Sequence, residues 1–264
     1  MKNNRFLFTL IVILCCAYTP LRADESRVIP LKFVTEHLPP FQIIGKTKVE
    51  GFVTEILEAA LAHVEITPDI SIYSWTRAYN LTLQRPNTCI YSIARTKERE
   101  DKFIWIEVVA TTDSHFITVK DRVEQINITS IESAKDYRIA VLRDDFTHQY
   151  LINAGFVENK NLYVVNNTRS LLQLLKSKKY IDLILADPLT IRYRAIFNKM
   201  DPEQFVAIHK VNANPINFYV ACSLSTEKSI IEALSNGLEW VKQSGEYQSI
   251  LQRWSIHKFP DVTK

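Results

Sequence analysis

YSIARTKEREDKFIW, residues 91–105, is an apolar segment that stops abruptly at a cluster of hydroxyl and basic side chains. Its apolar half and the residues just before it, 88–94, predict a strand that delivers Arg95, Thr96 and Arg99 to the carboxyl end of a sheet. Ligands of open α/β sheets bind at that edge. A guanidinium there can clamp a carboxylate with two parallel charge-assisted hydrogen bonds. Taken alone, the alternating charges of Lys97, Glu98, Arg99 and Glu100 are better described as a solvated first helical turn. The surrounding chain decides between the two.

Upstream, a strand over 31–35 runs into TEHLPPF, residues 35–41, where Pro39 and Pro40 stop the pairing. A turn follows between Gly45 and Gly51. Val53, Ile56, Leu57, Ala60, Leu61 and Val64 then recur on one helical face. A strand over 69–74, a helix over 75–84 and the strand over 88–94 complete a βαβαβ unit, which implies a parallel sheet with covering helices. Downstream, 103–109 and 115–119 are extended. The same order then returns: strand 137–142, helix 144–154, strand 162–165, a helix carrying Leu171, Leu172, Leu174 and Leu175, and strand 181–186. No residue-level repeat links the halves, so only the architecture repeats. Segments 205–211 and 218–222 are again extended. A helix capped by Thr226 carries Ile231, Leu234, Leu238 and Val241 to Gly245, and a short helix over 246–254 closes the chain.

No proline- or glycine-rich linker separates the halves, which fits two lobes joined by strands. The expected fold is α/β: two lobes, each a mostly parallel sheet with covering helices, joined by two crossover strands near 115–119 and 218–222. The expected division is 24–113 plus 221–264 for the first lobe and 114–220 for the second.

Residues 1–23 read as a secretory leader: Lys2 and Arg5 in front, an apolar stretch over 6–17, and a polar exit at 19–23. That stretch is shorter than the about 20 residues a membrane span needs. Cleavage is expected after Ala23, with Ala17 the alternative. Losing Lys2, Arg5 and Arg22 leaves 29 basic side chains against 29 acidic. No basic block remains for a phosphate backbone, so nucleic acid is not an expected partner. Cys15 and Cys16 leave with the leader. Cys89 and Cys222 remain and are read as two separately buried thiols, although an exported protein can bond them.

Several chemistries are excluded by what the chain lacks. Five glycines cannot supply a dinucleotide fingerprint, and the GKT at Gly45 follows Pro40 where a phosphate loop needs glycine. The six histidines form no HExxH or His–Cys pair, and G-x-S-x-G is missing. No metal or cofactor is expected. What remains is polar and aromatic residues just beyond strand ends: Glu36 and His37, Trp75 and Arg77, Ser92 to Arg99, Asp144 to His148, and Asp187. Together they point to a cleft between lobes.

TEHLPPF followed by GFVTEIL, the SIARTKEREDKFIW run and GEYQSILQRW near the end resemble the extracellular solute-binding proteins of family 3, two-lobed periplasmic receptors for polar amino acids and similar solutes. The likeness covers the whole mature chain. Trp75-x-Arg77-Ala78 with Arg95-Thr96 is similar to a poorly characterised branch of that family. The resemblance implies a periplasmic binding protein of the type II fold. It also implies that Arg99 holds a ligand carboxylate and that Asp187 takes the ligand's ammonium from the other lobe. Three positions depart from the amino-acid receptors. Ala94 stands for a serine, Leu38 for an aromatic wall, and Arg143-Asp144-Asp145-Phe146 for a glycine–threonine turn. The acidic turn is expected to repel a carboxylate and attract a cation, and Trp75 either supplies the missing wall or is a core tryptophan after a strand.

The expected ligand site comprises Glu36, Trp75, Arg77, Ser92, Arg99, Asp145, Phe146 and Asp187. The expected function is capture of a small polar, amino-acid-like or otherwise charged solute in the periplasm by a monomer serving an ABC permease. A secreted dehydratase acting on cyclohexadienyl acids, with Glu36, His37, Asp145 and His148 as acid–base groups, is the alternative on the same scaffold. A ligand-sensing partner of a membrane receptor is a third.

Overall fold

The computed structural model describes residues 31–67, 69–166, 168–177, 180–211 and 215–254. The expected leader lies outside these. Among the described residues no helix is long and apolar enough to cross a membrane.

The chain enters on β1 (Lys32–Thr35), and a ribbon of β2 (Ile43–Ile44) and β3 (Val49–Glu50) occupies the region expected as a plain turn. Helix α1 (Phe52–His63) buries Phe52, Val53, Ile56, Leu57, Ala60 and Leu61, the face its spacing predicts. Gly51 starts it at φ 117°, and a Cβ there would lie 2.4 Å from the Phe41 carbonyl oxygen, so only glycine fits. Then come β4 (Asp69–Ile72), α2 (Trp75–Gln84), β5 (Thr88–Ala94) and β6 (Ile104–Thr112). The second unit is built from β7 (His115–Val119), β8 (Ile139–Leu142), α3 (Phe146–Asn153), β9 (Leu162–Val165), α4 (Thr168–Ser177), β10 (Leu183–Ala186), α5 (Pro188–Phe197) and β11 (Phe205–Lys210). β12 (Ile216–Cys222), α6 (Lys228–Gln243) and α7 (Glu246–Arg253) complete the chain.

Two five-stranded sheets result, ordered β4-β1-β5-β12-β6 and β11-β7-β10-β8-β9. In the first, β1 is parallel to β4 and β5 while β12 runs antiparallel between β5 and β6. In the second, β8 is parallel to β9 and β10, and β7 runs antiparallel to β10 and β11. Each lobe therefore contains the βαβαβ unit, and segments read only as extended are antiparallel members of the sheets. The chain leaves the first sheet after Thr112 and is back in it by Ile216, which pairs with Thr112. Residues 115–119 and 218–222, expected as the crossing strands, thus lie within the second and the first sheet respectively, because β7 pairs with β10 and β11 and β12 bridges β5 and β6.

Alternate residues of each strand feed opposite faces. Phe33 packs with α1, α6 and α7, whereas Val34 packs with Trp75 and Ala78 of α2. In the second lobe Ala140 meets Leu171 and Ile191, while Ile139 and Val141 meet Leu151 of α3. At Gly237 of α6 a Cβ would stand 2.5 Å from the Ala60 carbonyl oxygen, which is how α1 and α6 approach so closely. Thr226 is not the cap of α6. The helix begins at Lys228 behind Glu227, and the Thr226 hydroxyl is 3.0 Å from that of Ser223.

Cys89 and Cys222 are not separate thiols. They face each other across β5 and β12 and form a disulfide spanning 133 residues. Only the pairing of a late strand beside an early one brings them together. Replacing both by alanine is expected to cost about 2–5 kcal/mol, since a loop of that length leaves the unfolded chain much freer. A urea midpoint unchanged from that of the oxidised protein would show that the bridge constrains nothing.

Candidate functional site

Residues just past the carboxyl ends of β1, β5, β8 and β10 converge on one cavity of about 90 Å³. Seven of the eight residues singled out from the sequence line it: Glu36, Trp75, Ser92, Arg99, Asp145, Phe146 and Asp187. Arg77 does not. Trp75 opens α2, and a residue two further on points roughly 200° round the helix. The Arg77 guanidinium instead covers the Tyr73 ring, 4.5 Å from its centroid.

The opening stretch divides in the same way. Arg95 turns outward to pair with Glu100 and cover Trp105. Arg99 turns inward and is 6% exposed. Its Nη1 donates to the Ala94 carbonyl at 3.1 Å and its Nη2 to the Asp144 carbonyl at 3.2 Å. Its guanidinium lies 5.0 Å from the Trp75 ring and 5.5 Å from Tyr79. Asp144 presents that carbonyl from the second lobe in a left-handed conformation, φ 59°, and Trp75 Nε1 donates to the same oxygen at 2.6 Å.

The acids are engaged as well. Asp145 caps α3, accepting from His148 N at 2.7 Å and from the Thr147 hydroxyl at 2.8 Å. Asp187 caps α5, with Pro188 in the first turn, accepting from Thr190 N at 2.8 Å and from the Thr112 hydroxyl at 2.6 Å. Ser92 sits at a bulge between β5 and β12 with φ 58°, and its hydroxyl donates to Gln42 Oε1 at 2.7 Å.

The two histidines beside these groups do not line the cavity. His37 Nδ1 accepts from Ile44 N, and its ring leans on Phe197. Burial, reinforced by Arg194, lowers His37 to about 4, which leaves it neutral at pH 7. His148 Nδ1 accepts from Asp144 N, and its Nε2 is 3.1 Å from Glu158.

Sequence reasoning missed Arg194. It lies seven residues beyond Asp187 on α5, two turns along the same face, and Thr190 lies between them. That Asp–x2–Thr–x3–Arg spacing was the available signal. Arg194 lines the cavity and is 7% exposed. Its Nε has no partner, and no described residue accepts a hydrogen bond from its guanidinium. Thr112, Ser114 and Phe218 are further lining residues not foreseen.

Desolvation dominates the electrostatics. Burial pushes Glu36 up to about 7; Arg194 draws it back, Asp145 adds to the rise, and Arg99 opposes it. Burial raises Asp145 and Asp187 too, each partly offset by the hydrogen bonds it accepts. Burial also lowers Arg99 and Arg194 from their usual values. Among the described residues no group of three or more His, Cys, Asp or Glu side chains could hold a metal ion. The arrangement suits a small, charged, polar guest, with both signs of charge on the walls and Trp75, Phe146 and Phe218 giving apolar cover.

The family model for bacterial extracellular solute-binding proteins, family 3, matches residues 31–257. No curated protein matches the chain by sequence. Among solved structures, a histidine kinase sensor domain with similarity to periplasmic binding proteins superposes with a TM-score of 0.75 at 16% identity, covering 85% of this chain and 95% of that one. An ancestral arginine-binding protein bound to arginine gives 0.72 at 16%, covering 85% and 97%. The arginine-, lysine-, histidine-binding protein ArtJ of Geobacillus stearothermophilus gives 0.71 at 15%, covering 88% and 97%. At these identities the structural likeness shows a shared periplasmic-binding-protein fold. With the family match spanning nearly all of the described chain, this protein belongs to the bacterial extracellular solute-binding proteins, family 3.

Proposed function

We propose that the protein captures a compact, charged, amino-acid-like solute between its lobes in the periplasm and hands it to an ABC permease. The observation that carries this reading is the interlobe cavity itself, lined by ionisable groups from both sheets. Glu36, Trp75, Ser92 and Arg99 come from the first lobe, and Asp145, Phe146, Asp187 and Arg194 from the second. A guest touching both sides favours the closed arrangement by its contacts with each. The solutes named for the structural neighbours include arginine and glutamine, which are charged or polar amino acids. Presentation of the loaded protein to a membrane sensor is a second reading, supported by the likeness to a kinase sensor domain.

Binding is favoured over turnover. Of the four acid–base candidates only Glu36 and Asp145 reach the cavity, and Asp145 is engaged as the cap of α3.

A thermal-shift screen of small amino acids, amines and carboxylates should reveal a ligand. At 100 times its dissociation constant a ligand stabilises by about 2.7 kcal/mol, which is readily seen. A full panel producing no shift between pH 5 and 8 would overturn the binding reading.

The charge state of Glu36 gives a second test, made without ligand. Its folded value of about 7 exceeds the ordinary 4.5, so the folded protein binds a proton that the unfolded chain has released between those limits. Stability from this group is therefore present below pH 4.5 and lost as pH rises through about 7. Relative to wild type, Glu36→Gln should gain melting temperature steadily from pH 4.5 to 7 and hold that gain above. A difference between the two proteins that does not vary with pH would mean that Glu36 titrates as an ordinary surface acid.

A further inference from the structure

We propose that the cavity recognises a zwitterion in the direction opposite to the one the family resemblance implies: the cationic group of the ligand lies against Glu36 of the first lobe and its anionic group against Arg194 of the second. This rests on the binding reading above and assigns its charge contacts.

The assignment follows from which charged groups already have partners. Arg99 spends one nitrogen on the Ala94 carbonyl and another on the Asp144 carbonyl, and its faces are covered by Trp75 and Tyr79. Asp187 spends one oxygen on the first turn of α5 and the other on Thr112. Asp145 is committed to α3 and Thr147. Each of these three holds structure together. Glu36 and Arg194 differ: neither makes a side-chain hydrogen bond or an ion pair with any described residue, and both line the cavity.

Arg194 is a buried ion without a partner among the described residues, which is strongly unfavourable, and Glu36 is a half-buried acid without one at the same cavity. Glu36 and Arg194 feel each other's charge across the cavity without forming an ion pair. The groups facing Glu36 are Arg194, Asp145 and Arg99; those facing Arg194 are Glu36, Asp145 and Asp187. A simple anion would satisfy Arg194 and leave Glu36 bare, and a simple amine would do the reverse. A guest bearing both charges satisfies both and joins the lobes. Arg194 is then the specificity-determining residue for the anionic end. It reaches the cavity because α5 carries it two turns beyond Asp187 on the same face.

The test pairs ligand groups with protein groups. Glycine, L-alanine, β-alanine and 4-aminobutyrate are titrated calorimetrically into the full-length protein, and the tightest binder is compared with its analogues lacking the carboxylate or the amine. Wild type, Arg194→Met, Glu36→Gln, Arg99→Met and Asp187→Asn are each measured. Removing the carboxylate should weaken binding to wild type at least tenfold and binding to Arg194→Met hardly at all; removing the amine should behave likewise with Glu36→Gln. Coupling of the carboxylate to Arg99 and of the amine to Asp187 would overturn the reversed direction while leaving the binding function intact. Failure of every zwitterion to bind wild type, while an amine or a carboxylate from the thermal-shift panel binds, would overturn the zwitterion assignment and leave the binding function intact; failure of the whole panel would overturn the binding function itself. Ligand-free melts guard against variants that misfold: Arg194→Met should melt at or above wild type, because an unpartnered charge is removed, and Arg99→Met below it. A loss in Arg194→Met as large as that in Arg99→Met would count against the proposal.

Discussion

One carbonyl oxygen, that of Asp144, accepts hydrogen bonds from Trp75 Nε1 and Arg99 Nη2 and so ties the second lobe to the first. It can do so because Asp144 adopts φ 59°, which turns the peptide across the cleft. Much else depends on that contact. It seats Trp75 as a cavity wall, holds the Arg99 guanidinium against the ring, and closes the space in which Glu36, Asp145 and Arg194 lose their water. The contacts of Glu98 with Asn153 and of Thr112 with Asp187 fasten the lobes elsewhere. The raised value of Glu36 is a consequence of this enclosure, since burial is its largest cause.

Position in a motif and role in a structure separate here. Arg99 and Asp187 stand where the family resemblance sets the ligand contacts, and both line the cavity. Their polar atoms are nonetheless engaged by backbone and hydroxyl groups of the protein. A carboxylate has about four acceptor sites and a guanidinium five donors, so neither is exhausted by the bonds it makes. Their geometry is fixed by those bonds all the same, whereas Glu36 and Arg194 are held only by packing and charge. Fixed groups preserve the shape of the site, and unsatisfied ones supply the differential contacts by which a ligand can shift a conformational equilibrium.

Strong local patterns were legible in the sequence. The strand Thr88–Ala94, the helix Trp75–Gln84 and the strands His115–Val119 and Leu162–Val165 follow directly from apolar runs and their punctuation. Polar residues at strand ends located the cleft, because parallel strands must all present the same end to it. Helix α5 was not legible, for a physical reason. Its buried side includes Thr190 and Arg194 beside Ile191 and Ala195, so it lacks an apolar stripe. The face that meets a binding cavity is polar by function and reads as a loop. Arg77 failed in the opposite sense, since a basic residue near a strand end lies on the wrong side of a helix whose phase is set by Trp75. The disulfide was hidden because it depends on β12 returning beside β5, a tertiary fact with no local trace.

The lobes already meet through bonds that involve no guest: Trp75 and Arg99 to Asp144, Thr112 to Asp187, and the His37 ring against Phe197. A ligand therefore need not supply all the energy of closure. It needs only to favour the closed arrangement over others by the difference in its contacts, and equal affinity for both would shift nothing. In this cavity the charged groups without a partner among the described residues are Glu36 and Arg194. On the proposed reading, Glu36 and Arg194 would raise the cost of closing without a guest, and a guest of matching charges would remove that cost. The same two side chains would thus hold the empty protein back from closing and reward closure once the cavity is filled.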